Sequence, residues 1–412
     1  LRATRRPRAA PFAAHTLDML AILGAGHASY LLSAARPSVA SRRCSIVAAE
    51  ATCDVICVGA GVPKRGMGWY HAKQILDGDT PSASLSAVVE PWFLGPGADS
   101  PPGATFAAWA AETGASGVAF CESVADVPKP SGPRMALISG RTADNPRLLR
   151  EVIEAGCTAV YLEKPGAPTV EELEAMRQFA AEKKVPVYMG YNKNVTPYVR
   201  KALEEAKKVP GSVTTYVHNN AYTEAELPEC FERNAEGLLK NMAIHELALL
   251  ATYWGVTVDT IASVEPDADY SRCLTLTGPD SGKEFTDFSR VALTITTKAG
   301  QAVKLQIDRC GDAGGSGNSV AIVSKDGKEV ARTETPEPEL KETTAVQAAA
   351  DPEMMPYFFL QHDDYITLKE RTAAHVLAGK EGTPDGIATI DIAIDALKVA
   401  EYLTPLLTAA LK

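Results

Sequence analysis

Residues 54–68 read Asp-Val-Ile-Cys-Val-Gly-Ala-Gly-Val-Pro-Lys-Arg-Gly-Met-Gly, an apolar run that enters a glycine-rich turn. A short apolar run followed by such a turn predicts a buried strand that leads directly into a helix. Glycine leaves room for a pyrophosphate group to approach backbone amides at the positively polarised start of a helix. The stretch therefore predicts a dinucleotide-binding turn, with Gly59, Gly61, Gly66 and Gly68 as its candidate residues.

The turn is longer than the usual spacing of such glycines, because residues 62–65 separate the first pair from the second. Lys64 and Arg65 lie in this extension and carry positive charge. Their side chains either contact phosphate or point into solvent, and the sequence leaves both possibilities open.

The choice between NAD and NADP depends on Glu90, which ends the next apolar run. A carboxylate at the end of the second strand can accept both ribose hydroxyls of NAD and would repel the 2′-phosphate of NADP. The expected cofactor is therefore NAD or NADP, and Glu90 favours NAD.

The fold class follows from the order of the apolar runs. From Cys53 to about Asn194, short apolar strands alternate with amphipathic helices, which predicts a doubly wound parallel sheet. After Tyr198 the runs alternate with a period of two, and Asp326-Gly327 marks a hairpin. We expect an α/β protein: a Rossmann domain over residues 51–195, then an α+β substrate-binding and oligomerisation domain over 196–412 with a large, mostly antiparallel sheet.

Three finer expectations concern the second half of the chain. A single helix is predicted over about Ala235–Tyr253. Residues 333–356, rich in Glu, Pro and Thr, are predicted to form an exposed excursion. The final helix, near Ile387–Leu407, is expected to pack back on the first domain.

Charge and composition indicate the kind of partner. The chain carries a net charge of −10, although residues 1–50 contain seven Arg and two acids, so the rest of the chain is strongly acidic. An acidic surface does not attract nucleic acid or anionic lipid, so we expect a small-molecule partner and neither nucleic acid nor membrane. The Arg-rich, acid-poor segment predicts an organelle-targeting presequence, for a plastid or mitochondrion, with the cytoplasm as the alternative. The eight Cys form no CxxC pair, which predicts free thiols and no metal site.

A second motif, Tyr161-Leu162-Glu163-Lys164-Pro165, ends another apolar strand. Ligands of doubly wound sheets bind beyond the carboxyl ends of the strands, so Lys164 is expected at the ligand-binding edge. On its own the motif could equally be a solvated Glu–Lys pair before a turn proline.

Together these motifs make the chain, over roughly residues 53–400, resemble the glucose–fructose oxidoreductase/inositol dehydrogenase family. The resemblance rests on five short segments: Gly68-Trp-Tyr-His71-Ala, Ala155-Gly156, Glu163-Lys164-Pro165, Met189-Gly190-Tyr191-Asn192 and Gly237-Leu-Leu-Lys-Asn241-Met-Ala-Ile-His245.

The family resemblance implies an NAD(P)-dependent sugar or polyol dehydrogenase that forms a homodimer or homotetramer. It implies that Lys164 hydrogen-bonds the reacting hydroxyl, that His245 removes its proton while hydride passes to the nicotinamide, and that Glu163 sets the nicotinamide end. It also makes a cis Lys164–Pro165 bond conceivable. An imidazole suits proton transfer near neutral pH, and a cation stabilises a developing alkoxide. Asn192 and Lys193, which follow the sixth strand, could touch substrate hydroxyls.

One departure from the family concerns Asn241. Asn241 and His245 are four residues apart, so on one helix they would share a face and could act as a pair. The family often has Asp at this position, and Asn supplies no charge to a proton relay. Two alternatives to the dehydrogenase therefore stay open: a non-catalytic NAD(P)-binding sensor or scaffold, and an NAD-dependent glycosidase. His218 and His362 are taken as structural or surface residues.

Overall fold

The computed structural model describes residues 51–412. The predicted presequence over residues 1–50 lies outside the described residues. Two seven-stranded sheets and twelve α-helices make up the described part of the chain.

The first sheet is the predicted doubly wound sheet. Its strand order is β14-β6-β5-β4-β1-β2-β3, with β1 to β6 parallel and β14 antiparallel to β6. The strands are β1 (Cys53–Val58), β2 (Ala83–Val89), β3 (Ala119–Cys121), β4 (Arg134–Ile138), β5 (Ala159–Leu162), β6 (Val187–Met189) and β14 (Ala388–Thr389). Four helices connect the parallel strands: α1 (Met67–Leu76), α2 (Pro101–Gly114), α3 (Asn145–Glu154) and α4 (Val170–Glu182).

Both faces of this sheet are covered, as its apolar strands require. In β1, Val55 and Cys57 pack into one hydrophobic cluster, whereas Ile56 and Val58 pack into another. Every residue of β4 and β5 is buried. Continuous apolar runs are typical of parallel strands that are buried on both faces.

The second sheet is mostly antiparallel, as predicted, with one parallel pair. Its order is β13-β12-β7-β11-β10-β8, β9 pairs with β10, and β7 and β11 are parallel. The strands are β7 (Val213–Asn219), β8 (Ile261–Pro266), β9 (Arg272–Thr277), β10 (Glu284–Thr297), β11 (Ala302–Asp308), β12 (Asn318–Lys325) and β13 (Lys328–Thr335). Inward-facing residues such as Val303 and Leu305 join the core, and Lys304 between them is exposed.

The helices of the second half differ from the predictions in two places. They are α5 (Pro197–Lys208), α6 (Leu227–Arg233), α7 (Leu238–Asn241), α8 (Ile244–Trp254), α9 (Pro338–Ala350), α10 (Pro356–Leu360), α11 (His362–Leu377) and α12 (Ile390–Leu411). The single helix expected over about Ala235–Tyr253 is wrong: Met242 and Ala243 separate α7 from α8. The expected excursion over 333–356 is largely the helix α9, of which only Thr344 is buried.

The end of the chain returns to the first sheet. β14 pairs with β6, and α12 packs against α4 and α8. Residues from the last quarter of the chain are thereby placed next to the carboxyl ends of β5 and β6.

Candidate active site

The glycine turn has the shape that a close backbone approach requires. Gly59 and Gly61 have φ angles of +83° and +72°, a region that disfavours other residues. A Cβ at Gly66 would lie 2.3 Å from the Ala60 carbonyl oxygen, and one at Gly68 would lie 2.2 Å from the Gly59 carbonyl oxygen. The first pair of glycines therefore shapes the turn, and the second pair lets α1 pack directly on it.

The two cations of the long turn do not both face the predicted phosphate site. The ammonium of Lys64 lies 2.9 Å from Asp351 and 3.2 Å from Glu353, which raise its pKa. The Lys64 carbonyl also accepts a hydrogen bond from the amide of Met355. These contacts bind the turn to the segment after α9, and Arg65 is exposed.

Glu90 is fixed at the end of β2 by two backbone amides. Its carboxylate accepts hydrogen bonds from the amide of Gly61 at 2.9 Å and of Trp92 at 3.3 Å. A cavity of about 410 Å³ adjoins Glu90 and is also lined by Gly59, Gly61 and Arg141. A carboxylate beside a side-chain-free cradle fits the adenosine half of a dinucleotide.

Glu163 lies at the carboxyl end of β5 and is buried. Its Oε1 lies 2.9 Å from Nε2 of His71 and accepts a hydrogen bond of 3.3 Å from the hydroxyl of Tyr161. A Cβ at Gly190 would lie 2.5 Å from the same oxygen, so only glycine leaves room for this carboxylate. The next peptide bond, Lys164–Pro165, is cis.

Lys164, two residues after the end of β5, and His245 of α8 are near enough for the charge of the lysine to act on the imidazole. Burial lowers the pKa of His245 well below its usual value, and the charge of Lys164 lowers it further. The imidazole is therefore neutral at pH 7. Its Nδ1 and the hydroxyl of Tyr191 are buried without a hydrogen-bond partner among residues 51–412, and the two rings meet edge to face at 5.9 Å. Buried polar atoms are normally paired, so this place suits a hydrogen-bonding ligand.

A second charged group lies beside this pair. The ammonium of Lys193 forms a buried ion pair with Glu246 and donates a 2.9 Å hydrogen bond to Ser319. The other oxygen of Glu246 lies 3.1 Å from Nδ1 of His218. These two partners hold the pKa of Glu246 far below its ordinary value despite burial. His218 thus lies beside the candidate site as the second partner of Glu246, a contact that the sequence did not predict.

Lys193, His218 and Asn192 line a cavity of about 550 Å³ between the two sheets. Asp364, from α11, lines the same cavity and forms no ion pair with any residue from 51 to 412. Burial and the neighbouring charge of Asp363 raise the pKa of the Asp364 carboxyl well above its ordinary value. The cavity therefore offers a cation, an amide and a carboxyl group to a polar ligand.

The predicted pairing of Asn241 with His245 is wrong. Asn241 ends α7, and His245 lies in α8 beyond the break, so the two do not share one helix. The amide of Asn241 instead donates a 2.8 Å hydrogen bond to Glu236 near the surface. The carboxylate that does lie beside His245 in sequence is Glu246, the ion-pair partner of Lys193.

Sequence reasoning missed Glu246, Asp364 and Lys369. The signal for Glu246 was a single acid in the otherwise apolar run of α8, where a charge is kept only when it is paired. Asp364 and Lys369 lie in α11, nearly two hundred residues after β6, and carried no local signal. His362 likewise contacts Tyr70 and Gln74, although its ring stays partly exposed.

A parallel Rossmann sheet with this glycine turn and an acid at the end of β2 is the arrangement that binds dinucleotides in known proteins. Residues 100–191 match the family model described as the oxidoreductase family with an NAD-binding Rossmann fold. This match confirms the resemblance to the glucose–fructose oxidoreductase/inositol dehydrogenase family. No curated protein sequence matches the chain.

Solved structures share the fold across most of the chain. A probable dehydrogenase from Thermotoga maritima has a TM-score of 0.62 and 16% identity, covering 85% of this chain and 95% of its own. A myo-inositol dehydrogenase from Corynebacterium glutamicum has a TM-score of 0.61 and 17% identity, with the same coverage. A scyllo-inositol dehydrogenase from Lactobacillus casei, with bound NAD(H) and scyllo-inositol, has a TM-score of 0.59 and 16% identity, again covering 85% and 95%.

The described residues offer neither a clustered metal site nor a bilayer-spanning helix. Residues 51–412 contain no group of three or more His, Cys, Asp or Glu side chains placed to hold a metal ion. None of the helices within these residues is both long and apolar enough to cross a bilayer.

Proposed function

We propose that the protein is an NAD(P)-dependent dehydrogenase that oxidises a hydroxyl carbon of a sugar or polyol, or reduces the corresponding carbonyl. The observations that support this proposal are the glycine turn, which leaves room for a dinucleotide, and the buried imidazole of His245, whose pKa the charge of Lys164 lowers. The inositol and NAD(H) bound by the Lactobacillus casei structure support the same class of substrate and cofactor.

Two side chains of the protein would take part in the reaction, one as a hydrogen-bond donor and one as a proton acceptor. A nicotinamide cofactor, when bound, supplies or accepts the hydride. The ammonium of Lys164 would donate a hydrogen bond to the substrate oxygen and stabilise the negative charge that develops there. The imidazole of His245, kept neutral by burial, would accept the hydroxyl proton.

The 550 Å³ cavity would bind the remainder of the substrate. Asn192 and Lys193 line it and present an amide and an ammonium, which suit the hydroxyl groups of a sugar ring. Glu246 and Ser319 fix the direction of the Lys193 ammonium, so that this group is held in place before substrate binds.

We propose NAD rather than NADP as the preferred cofactor. Both oxygens of Glu90 face backbone amides at the end of β2, so the carboxylate stays at the rim of the adenosine cavity. A 2′-phosphate at this place would be repelled by a carboxylate whose direction is fixed by its hydrogen bonds.

We also propose, from the family resemblance, a homodimer or homotetramer, which sedimentation can test.

The function is tested with Lys164→Met, His245→Asn and the control Lys328→Met, an exposed lysine in the β12–β13 hairpin. Each protein is mixed with NAD or NADP and a panel of sugars and polyols, and absorbance of the reduced nicotinamide is followed. Turnover by the wild type and the control, lost in both site variants, supports the proposal. Equal rates in all four proteins contradict it.

Calorimetry and product analysis, together with this assay, separate the two alternatives. NADH binding in calorimetry without turnover of any sugar would indicate a sensor or scaffold. Release of an aglycone without net reduced nicotinamide would indicate a glycosidase that oxidises its substrate only transiently. Because Asn241 donates to Glu236 outside the site, its lack of charge does not by itself argue against catalysis.

A further inference from the structure

A buried chain of side chains connects Glu163 to a lysine from the far end of the sequence. His71, in α1, is fully buried between Glu163 and Lys369 of α11. Its Nε2 lies 2.9 Å from Oε1 of Glu163, and its Nδ1 lies 3.1 Å from the ammonium of Lys369. Neither Lys369 nor its contact with His71 has a part in the roles described above.

The direction of each hydrogen bond in this chain is fixed by chemistry. An ammonium can only donate, so Nδ1 of His71 accepts the hydrogen bond from Lys369. The ring proton must then be on Nε2, which donates to the carboxylate of Glu163. Lys369 uses its other hydrogens on the side-chain oxygen of Gln74 and the carbonyl of Tyr365, so its three donors all have acceptors.

The charge of Lys369 has no carboxylate in direct contact among residues 51–412. Its three acceptors are all neutral, and the nearest compensating charge, Glu163, lies on the other side of the His71 ring. Burial of an ion away from a direct partner is unfavourable, so an apolar side chain of the same size would be expected to stabilise the fold at least as well. Packing alone does not account for a lysine at this position.

We propose that Lys369 is a positioning residue: through His71 it holds the carboxylate of Glu163, and the strand end that carries Lys164, in the orientation that hydride transfer requires. This inference rests on the proposed dehydrogenase function. Glu163 immediately precedes Lys164, so contacts that hold the Glu163 side chain also restrain the strand end from which Lys164 projects. Lys369 itself touches neither substrate nor cofactor in this scheme.

The groups around Lys369 make its contact with His71 dependent on pH. Burial lowers the pKa of Lys369 to about 7, while the charges of Glu163 and Asp79 oppose this shift. The pKa of His71 falls to about 4, because of burial and the charge of Lys369, so the ring stays neutral. Raising the pH through 7 therefore removes the ammonium and its hold on the His71 ring.

The experiment compares Lys369→Met with the pair His71→Gln and His71→Phe. Methionine keeps the volume of Lys369 without its donors; glutamine at position 71 can still donate to Glu163 and accept from Lys369, whereas phenylalanine can do neither. We expect kcat of Lys369→Met to fall about 10- to 100-fold with little change in the substrate KM, as for other residues that orient a reacting group. His71→Gln should retain more activity than His71→Phe, and the wild-type inflection of kcat near pH 7 should be absent in Lys369→Met.

Two measurements separate this inference from the function on which it rests. Ring ¹⁵N shifts of His71 should show the Nε2–H tautomer in the wild type and a mixture in Lys369→Met, whether or not any sugar is oxidised. NADH affinity, measured by fluorescence, should fall in Lys369→Met. If no protein, the wild type included, turns over but both effects are seen, the dehydrogenase proposal fails, and the part of the inference that remains is that Lys369 positions Glu163 through His71 for cofactor binding.

A purely structural role makes the opposite predictions. It requires a lower thermal midpoint in Lys369→Met with wild-type kcat, pH profile and NADH affinity, and that result overturns the inference. If Lys369→Met does not fold, equal kcat in His71→Gln and His71→Phe overturns it as well.

Discussion

Oxygen Oε2 of Glu90 accepts a hydrogen bond of 2.9 Å from the backbone amide of Gly61. The end of β2 is thereby joined to the glycine turn after β1, the two elements between which an adenosine ribose binds in Rossmann folds. Gly61 itself has a φ of +72°, a region that disfavours residues with a side chain, so the contact lies at a position that favours glycine.

Glu90→Ser should weaken binding of NADH about tenfold or more and reduce the preference for NADH over NADPH. The variant loses a charge-assisted acceptor for two amides and removes the repulsion of a 2′-phosphate. Titration calorimetry with both cofactors measures the effect. Glu112→Ser, at an exposed position of α2, is the control and should bind as the wild type does. An unchanged ratio of the two affinities in Glu90→Ser would contradict the assignment.

Gly68→Ala should destabilise the protein, whereas Gly114→Ala should not. A Cβ at Gly68 would lie 2.2 Å from the Gly59 carbonyl oxygen, so α1 must move away from the turn, at a cost of about 1–3 kcal/mol. Gly114 ends α2, and a Cβ there would have no atom within 4 Å, so alanine should be neutral or stabilising by up to about 1 kcal/mol. Urea unfolding of both variants measures the difference, and equal midpoints would show that the turn is not tightly packed.

Lys164→Met should raise the pKa of His245. The cation disfavours the imidazolium form, so its removal makes the ring easier to protonate, although burial still keeps the pKa below its usual value. The measurement is an NMR titration of the His245 ring, with Lys328→Met as the control that should leave the titration unchanged. A pKa that does not move in Lys164→Met would mean that the two side chains do not share a site.

Glu246→Gln should destabilise the protein by about 3–5 kcal/mol near neutral pH, because it leaves Lys193 buried without its ion-pair partner. Ser319→Ala, which removes only a hydrogen bond to Lys193, should cost about 1 kcal/mol. Denaturant unfolding of both variants provides the comparison.

The difference in unfolding free energy between the wild type and Glu246→Gln should depend on pH. The pKa of Glu246 in the folded state lies far below its ordinary value of 4.5, so its stabilising effect is fully present above that pH and is lost as the pH falls. The difference between wild type and Glu246→Gln should therefore shrink below about pH 4.5. A difference that stays constant down to acid pH would show that Glu246 is not an ion-pair partner in solution.

Several features of the fold could be predicted because they depend on local pattern. The apolar run ending at Val58, the glycines that follow and the Glu-Lys-Pro sequence after β5 each specify a conformation within a few residues. The place of Lys164 at the ligand-binding edge could be predicted in the same way, because Lys164 comes two residues after the end of β5 in sequence.

Other predictions were wrong or missing because the features concerned depend on tertiary packing. The break between α7 and α8 falls at Met242 and Ala243, two residues with no helix-breaking tendency, so its position is set by tertiary contacts. β8 and β9 were not predicted, and no residue of β9 is buried.

The sequence by itself determined the parallel sheet, the antiparallel character of the second sheet and the dinucleotide turn, because strand and turn propensities act over short spans of chain. Lys164 was placed at the sheet edge by the end of its strand, and His245 became a candidate through the family resemblance. Only the tertiary structure decided that Glu246 compensates Lys193, that Asn241 lies outside the site, and that Lys369 reaches Glu163 through His71. The physical reason is that the charge state of a buried group depends on which side chains surround it. Here those neighbours come from helices nearly three hundred residues apart in the chain.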